Sequence, residues 1–447
     1  MQVLNSLMNQ WMEEYNAKRT TADAAVRVIR SGDRVYVHPS CATPEDLVRA
    51  LMRRAPELED VEIIHMKTLG CADYSHPKYV DSFRVVALFI GENVRQAVTD
   101  GRADYIPIFL HEIEGLFERG ERPLDVSLIQ LSPPDRNGYM SLGTGVDCTM
   151  TAALHSKRVI AEVNPNMPRT LGQTFLHVSQ VDMIVETSHA LPELTIETPD
   201  EVQTKIGENV AALIPDEATL QLGIGAVPDA VLSRLSGHRD LGLHTEMFSE
   251  GVIPLIESGV MNGAKNPLHP GKLVAGFVLG TRRLFDFIDD NPLFEFRPIQ
   301  YVNDPFVISR NRRMVAVNSA LQIDLTGQVC ADSIGLHPYS GFGGQVDFIR
   351  GAARCPEGKP IIALPSTAKR GTISRITPML DAGAGVVTSR ADVHYVVTEH
   401  GAAYLHGKTL RERAEALIAV AHPKFREELT EFAYQARYFR PRLVPVG

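Results

Sequence analysis

The segment LHTEMFSEG, Leu243 to Gly251, sets a carboxylate, Glu246, just after a short apolar run and inside a weakly polar stretch. A glutamate at the end of a strand is ordinarily a solvated rim residue or a cap for the next helix. Its chemical alternative is a nucleophile. A carboxylate is already ionised at pH 7, so it attacks an activated acyl carbon without a general base, and no Ser-His or Cys-His pair is needed. Such an attack does need donors for the oxyanion it creates, and two glycine-rich stretches offer them: GIGAVP (223–228) and SGFGGQVDF (340–348). In the first, Gly223 and Gly225 let a ligand approach backbone amides closely. In the second, Gly341, Gly343 and Gly344 read either as a flexible hairpin tip or as amides aimed at an oxyanion or a flat-lying thioester. Asp347 reads equally well as a helix cap. No third glycine follows GIG at dinucleotide spacing and no Walker lysine is present, which sets nucleotide hydrolysis aside.

The elements that must position these groups are strands alternating with helices. RVYVHP, VEIIHM, VVALFI, VSLIQL and RVIAEV, then TLQLGI, LVAGFVLG, MVAVNSA, IIALP and HYVVTE are short β-branched runs with helical segments between them. That alternation predicts an α/β fold with largely buried sheets. The proline-containing stretch before the helix EVQTKIGENVAALI lacks any period, and it predicts a linker at 188–201 between domains 1–187 and 202–447. The two halves read as copies produced by internal duplication. DRVYVHPSCATPEDLVRAL parallels ATLQLGIGAVPDAVLSRL, and in each a Pro followed by Glu or Asp opens a helix, where proline's missing N–H does no harm. EIIHMKTLG parallels GLHTEMFSEG, each with a His two residues before a charged side chain. NGYMSLGTGVDCTMTAA parallels GQVCADSIGLHPYSGFGGQVDFIRGAA. Lys67 stands in the first copy where Glu246 stands in the second, so the fold does not demand a carboxylate there. Glu246 is free to serve chemistry.

Composition bounds the rest. With 447 residues, 44% of them hydrophobic, the chain can bury two or three sizeable cores. A net charge of −9 argues against a nucleic-acid partner. Five scattered cysteines without CxxC spacing predict a reducing compartment and no metal site. The N-terminus, MQVLNSLMNQWMEEYNAKR, reads as an amphipathic helix, not a signal peptide. No apolar run reaches the roughly 18–20 residues that cross a bilayer, so the expected location is the cytoplasm, without membrane contact.

GIGAVPDAV, HTEMFSEG, SGFGGQVDFIRGAARCPEGKPIIALPSTA, YVVTEHGAAYLHGKTLRERAEALIAVAHPKFREEL and LSPPDRNGYMSLG together resemble the acetyl-CoA hydrolase/transferase family, closest to 4-hydroxybutyrate and butyryl CoA-transferases. The resemblance runs through nearly the whole chain in the same order. It implies two similar α/β CoA-transferase domains, with Glu246 in Thr245-Glu246-Met247 as the nucleophile. Coenzyme A is then a substrate rather than a tightly bound cofactor, an acyl-CoA and a small carboxylic acid are the reactants, and the molecule is a homodimer. The resemblance further implies an oxyanion hole from the backbone of Val227 and of Gly343 or Gly344, with Asn303 and Glu399 placed near the site. His400 departs from the aromatic or Gln of relatives. Lys369, Arg370 and Arg375 are candidates for the CoA phosphates or members of a solvated loop, and Lys408 is similarly placed. A dicarboxylate acceptor would need a further cation, for which Arg310, Arg312, His38 and Lys67 are unranked. The alternative activity is acyl-CoA hydrolysis through the same glutamate; a non-catalytic CoA-binding protein is disfavoured by the intact Glu246.

Overall fold

Leu124–Leu131 buries seven of its eight residues and Leu273–Val278 all six. Runs of this kind, without alternation, belong to parallel sheets covered on both faces. The computed structural model describes residues 2–195 and 197–439, and its architecture is α/β. Among these residues no helix is long and apolar enough to cross a membrane.

In the first half the strands are β1 (Arg34–Val37), β2 (Val61–His65), β3 (Phe83–Ala87), β4 (Ala103–Tyr105), β5 (Leu124–Leu131), β6 (Ser156–Val163) and β7 (Met183–Glu186). They form one sheet in the order β4-β3-β2-β1-β5-β6-β7, and every neighbouring pair is parallel. The second half supplies β8 (Thr219–Leu222), β9 (Gly242–Phe248), β10 (Leu273–Val278), β11 (Phe294–Phe296), β12 (Val315–Asn318), β13 (Lys359–Ala363) and β14 (Tyr395–Thr398). Its second to fourth strands pair as β11-β10-β9, and its first, fifth, sixth and seventh pair as β8-β12-β13-β14, again all parallel. Both halves therefore follow one pairing rule, and the duplication read from the sequence is visible in the topology. An antiparallel strand, β15 (Gly401–Tyr404), is added to β14.

One boundary of the compact units, after Thr195, falls inside the expected linker, but later segments of the chain are divided between the two units. One comprises Met1–Thr195, Leu243–Ile253 and Gly271–Asp304; the other comprises Ile196–Gly242, Pro254–Pro270 and Pro305–Gly447. A division at 188–201 would have put Glu246 with the C-terminal chain, whereas its strand packs with the N-terminal one. Backbone bonds show why. Val146 N and Asp147 N both donate to Gly276 O, at 3.0 and 3.2 Å, Val278 N donates to Thr144 O at 2.8 Å, and Phe296 N to Leu171 O at 2.8 Å. The loop from Thr144 to Asp147 thus pairs with β10 and binds this part of the second half to the first.

Gly276 is a close point of that weave. A Cβ there would lie 2.9 Å from Ile299 Cδ1 and 3.0 Å from Glu246 O, so the isoleucine tip and the strand carbonyl would both have to give way. Gly276→Ala is expected to lower stability by about 1–3 kcal/mol, the usual range for overpacking. Gly237, where a Cβ meets nothing within 4 Å, provides the control, and Gly237→Ala is expected to stay within about 0.5 kcal/mol of wild type. Urea unfolding measures both. Equal midpoints would mean that the close approach at Gly276 is not a constraint.

Candidate functional site

Strand residues alternate between faces, so His244, Glu246 and Phe248 of β9 share one side. His244 is fully buried and its Nε2 bonds Val302 O at 2.8 Å. A carbonyl only accepts, so the proton sits on Nε2. Val302 ends the short helix Ile299–Val302, and the next residue, Asn303, is fully buried and donates from Nδ2 to Glu246 Oε2 at 3.3 Å. Glu246 itself is partly buried. The structure thus brings together Glu246 and Asn303, which the resemblance places near one site. Four residues on, Glu250 does a different job: its Oε1 accepts both Thr281 N, at 3.0 Å, and the Thr281 hydroxyl, at the start of the helix Arg282–Ile288. A carboxylate there satisfies an unpaired amide and opposes the helix dipole. Glu250 is an anchor.

In the other unit, the loop after β8 leads into the helix Ala226–Leu232 through Gly225, whose φ of 117° excludes most side chains. The first amides of a helix have no partner within it, and Pro228 has none to offer, which leaves those of Ala226 and Val227. Here lies a cleft of about 290 Å³ whose walls include Gly223, Gly225, Val227, Asn318, Ser319 and Arg375. It opens at the carboxyl ends of β8 and β12, strands paired with each other though three strands separate them in sequence, which is where open α/β sheets bind ligands. Gly343, at φ 53°, and Gly344 precede the helix Gln345–Arg354, and Gln345 Nε2 donates to Ser319 O at 3.0 Å. The GFGG turn, with Gly341 buried at its start, is therefore tied to a wall of the same cleft.

The cations and Glu399 sort themselves by position. Lys369 and Arg370 occupy the exposed tip of a small hairpin, both at positive φ, and neither lines the cleft. Arg375 does line it. Its Nη1 donates to Ala320 O at 3.0 Å, its Nε is buried without a hydrogen-bond partner, and burial pushes its pKa down. Glu399 reaches Arg375 indirectly: its carboxylate accepts the N–H and hydroxyl of Ser366, whose carbonyl accepts Arg375 N at 2.9 Å. The motif STAKRGTISR thus contributes Arg375 to the cleft, while the hairpin turns Lys369 outward. Sequence reading could not separate the two, since only the turn at 369–371 decides which side chain points inward. Arg312 is already paired with Glu217. His38 is no cation either: it is fully buried, accepts Gln130 N on Nδ1 and bonds Gly145 O through Nε2, and burial lowers its pKa to about 4.

The sequence profile of the acetyl-CoA hydrolase/transferase N-terminal domain matches residues 3–192, and that of the C-terminal domain matches residues 280–433. The 4-hydroxybutyrate coenzyme A transferase of Clostridium kluyveri is 53% identical over 420 residues, which span 94% of this chain and 98% of that one. The chain belongs to the acetyl-CoA hydrolase/transferase family. A second relative, the succinyl-CoA:acetate/propanoyl-CoA:succinate CoA transferase of Fasciola hepatica, is 46% identical over 93% of this chain and 87% of its own. Among solved structures, RipA from Yersinia pestis matches with a TM-score of 0.91 at 36% identity, over 96% of this chain and all of that one.

One cluster in this family member escaped the sequence reading. Asp46, Glu162 and His189 bring their side chains within 4.8 Å of one another, a spacing a metal ion could bridge. His189 Nε2 bonds Glu162 Oε2 at 2.9 Å and Nδ1 bonds Ala190 O at 3.0 Å. Both acceptors are oxygens that only accept, so both ring nitrogens carry protons and neither has a lone pair for a metal. The bond from Glu162 raises the His189 pKa to about 9. A pKa raised in the folded state gives stability that is present below about 6.5, the unfolded value, and lost as pH climbs through about 9. Urea unfolding between pH 6 and 10 is therefore expected to show a decline that His189→Gln removes; the same decline in both proteins would assign it elsewhere.

Proposed function

We propose that this protein is a CoA-transferase that moves CoA from an acyl-CoA to a small carboxylic acid through a covalent thioester on Glu246. The observation that carries the reading is the Glu246 carboxylate, partly buried on β9 with Asn303 Nδ2 at 3.3 Å, in a chain 53% identical to a 4-hydroxybutyrate coenzyme A transferase. Glu246 Oε attacks the thioester carbonyl and expels CoA thiolate, leaving an acyl-glutamyl anhydride. The thiolate then attacks the glutamyl carbonyl, releasing the first acid and leaving a glutamyl-CoA thioester. An incoming carboxylate attacks that thioester, forms a new anhydride and frees the thiolate, which takes the new acyl group and restores Glu246. No proton transfer is needed at any step, so the reaction requires no general base. The amides of Val227 and of Gly343 or Gly344 are the proposed oxyanion donors, each worth ~2.7–4 kcal/mol in comparable acyl transfer.

The acceptor is a short acid such as 4-hydroxybutyrate, butyrate or itaconate, and the donor is acetyl-, butyryl- or succinyl-CoA. The reading includes a cytoplasmic homodimer, which sedimentation velocity would measure. Arg375 is the proposed cation for the anionic part of CoA, with Glu399 holding the base of its hairpin. Arg375→Met is expected to raise the KM for acyl-CoA about tenfold, the loss of roughly one charge-assisted bond. Glu399→Ala should move KM in the same direction through Ser366. An unaltered KM in both would remove Arg375 from CoA binding.

Acetyl-CoA turnover with and without butyrate tests the assignment. Both intermediates on Glu246 are activated acyl groups, so a transferase has to keep water from them. CoA release from acetyl-CoA alone should be slow, and butyrate should raise turnover more than about tenfold with ping-pong kinetics. Glu246→Ala should bind CoA but retain under about 1% of the rate, and borohydride should inactivate wild type only after acyl-CoA is added. Equal hydrolysis with and without butyrate would assign the protein as an acyl-CoA hydrolase instead.

A further inference from the structure

Outside the groups already assigned, the unit that holds Glu246 buries another glutamate. Glu114 lies on the helix Ile113–Glu118 and is 1% exposed. Both of its oxygens are engaged: Oε1 accepts Gln300 N at 2.7 Å, and Oε2 accepts the hydroxyl of Thr151. Gln300 is the second residue of the helix Ile299–Val302, which is preceded by Pro298 and has no side-chain cap of its own. The amide before it, Ile299 N, goes to Asp147 O at 2.9 Å. Glu114 therefore supplies from another helix the cap that the local sequence lacks.

We propose that Glu114 is a positioning residue for the contact between Asn303 and Glu246: by holding the Gln300 amide it fixes where the Ile299–Val302 turn ends and so where Asn303 Nδ2 meets the carboxylate. This rests on Glu246 as the nucleophile. Four residues of helix close very few internal bonds, Tyr301 N and Val302 N to Pro298 O at 3.1 Å and Asn303 N to Ile299 O at 2.9 Å, too few to hold an orientation alone. The turn is held at its ends, by Glu114 and Asp147 at the start and by His244 on Val302 O at the finish. Burying a carboxylate is costly. Burial raises the Glu114 pKa to about 7; Thr151 and Gln300 oppose the rise, and Glu118 and Asp147 add to it. A leucine would avoid that cost but strand the Gln300 amide without an acceptor.

Steady-state kinetics with acetyl-CoA and butyrate, together with urea unfolding, test this on Glu114→Asp, Glu114→Gln, Asn303→Ala and the double variant E114D/N303A. Aspartate keeps the charge but retracts the acceptor by one methylene. Glutamine keeps both contacts, its carbonyl toward Gln300 N and its amide toward the Thr151 hydroxyl. E114D is expected to lower kcat about tenfold with KM within about twofold, and E114Q to stay within about twofold in both. Because Glu114 acts through Asn303, E114D/N303A should be no slower than N303A alone. An unchanged kcat in E114D, or effects that multiply in the double variant, would overturn the proposal. If E114D does not fold, E114Q carries the test: a fall beyond about tenfold there would make the charge, not the reach, the property that matters, and would overturn it too. Glu246→Ala separates this from the parent reading, since transfer by that variant removes the nucleophile whatever Glu114 does. With Glu246→Ala inactive, a normal E114D fails this inference alone.

Discussion

The short hydrogen-bonded path from β9 through the Ile299–Val302 turn is the constraint on which the candidate site depends. Glu246 and His244 stand on one face of one strand, and each meets the same turn, His244 at the carbonyl of Val302 and Glu246 at the amide of Asn303. Together with the bonds from Ile299 N and Gln300 N to Asp147 and Glu114 at its start, these two contacts hold the turn against the strand. The requirement propagates backward through Gly276, since the strand and the turn approach that residue too closely for a Cβ. It also reaches the Thr144–Asp147 loop, whose amides close on the Gly276 carbonyl.

Duplication explains how such a site arises without a new fold. The two halves share a strand-pairing rule, and both carry a buried histidine two residues before the diverging charge, His65 before Lys67 and His244 before Glu246. The copies differ in what that histidine holds. His65 Nδ1 turns back to its own neighbour, Met66 O, while His244 reaches across to Val302 O. One copy spends the position on a local turn; the other uses it to fasten the element that carries Asn303. Asp147 and Asp347 show the same divergence. Both are buried beside the start of a helix, but Asp147 sits at φ 30° and lends its carbonyl to Ile299 N.

The fold was legible because burial and period are local properties. Branched apolar runs announce buried parallel strands, and repeats of such runs with matching turns announce a duplication. Glu246, the proposed nucleophile, was singled out through its contrast with Lys67. Three things were not legible. The unit boundary depends on loop-to-strand bonds such as Val146 N to Gly276 O, between residues 130 positions apart, which no local pattern encodes. The inward direction of Arg375 and outward direction of Lys369 depend on backbone angles at a turn. Glu114 lies in the segment HEIEGLFERG, among two other acidic residues and without a motif; only its burial and its bond to Gln300 N set it apart.

Accessibility divides the titratable groups of this unit in a way that suits their tasks. His38, Asp147 and Glu114 are buried almost completely, and burial drives each toward its neutral form, His38 down to about 4, Asp147 up to about 6 and Glu114 up to about 7. These groups hold backbone, and a neutral imidazole or a carboxyl sharing its charge with several donors does that adequately. A carboxylate nucleophile has the opposite need. It attacks only as the anion, and full burial would work against that form. Glu246 is partly exposed where its supports are not, and the neutral side-chain amide of Asn303 donates to it. An amide can orient a carboxylate oxygen without neutralising it, whereas an arginine or lysine in the same place would form an ion pair and blunt its attack. The framework groups are thus the deeply buried ones, and the proposed nucleophile keeps the more accessible place.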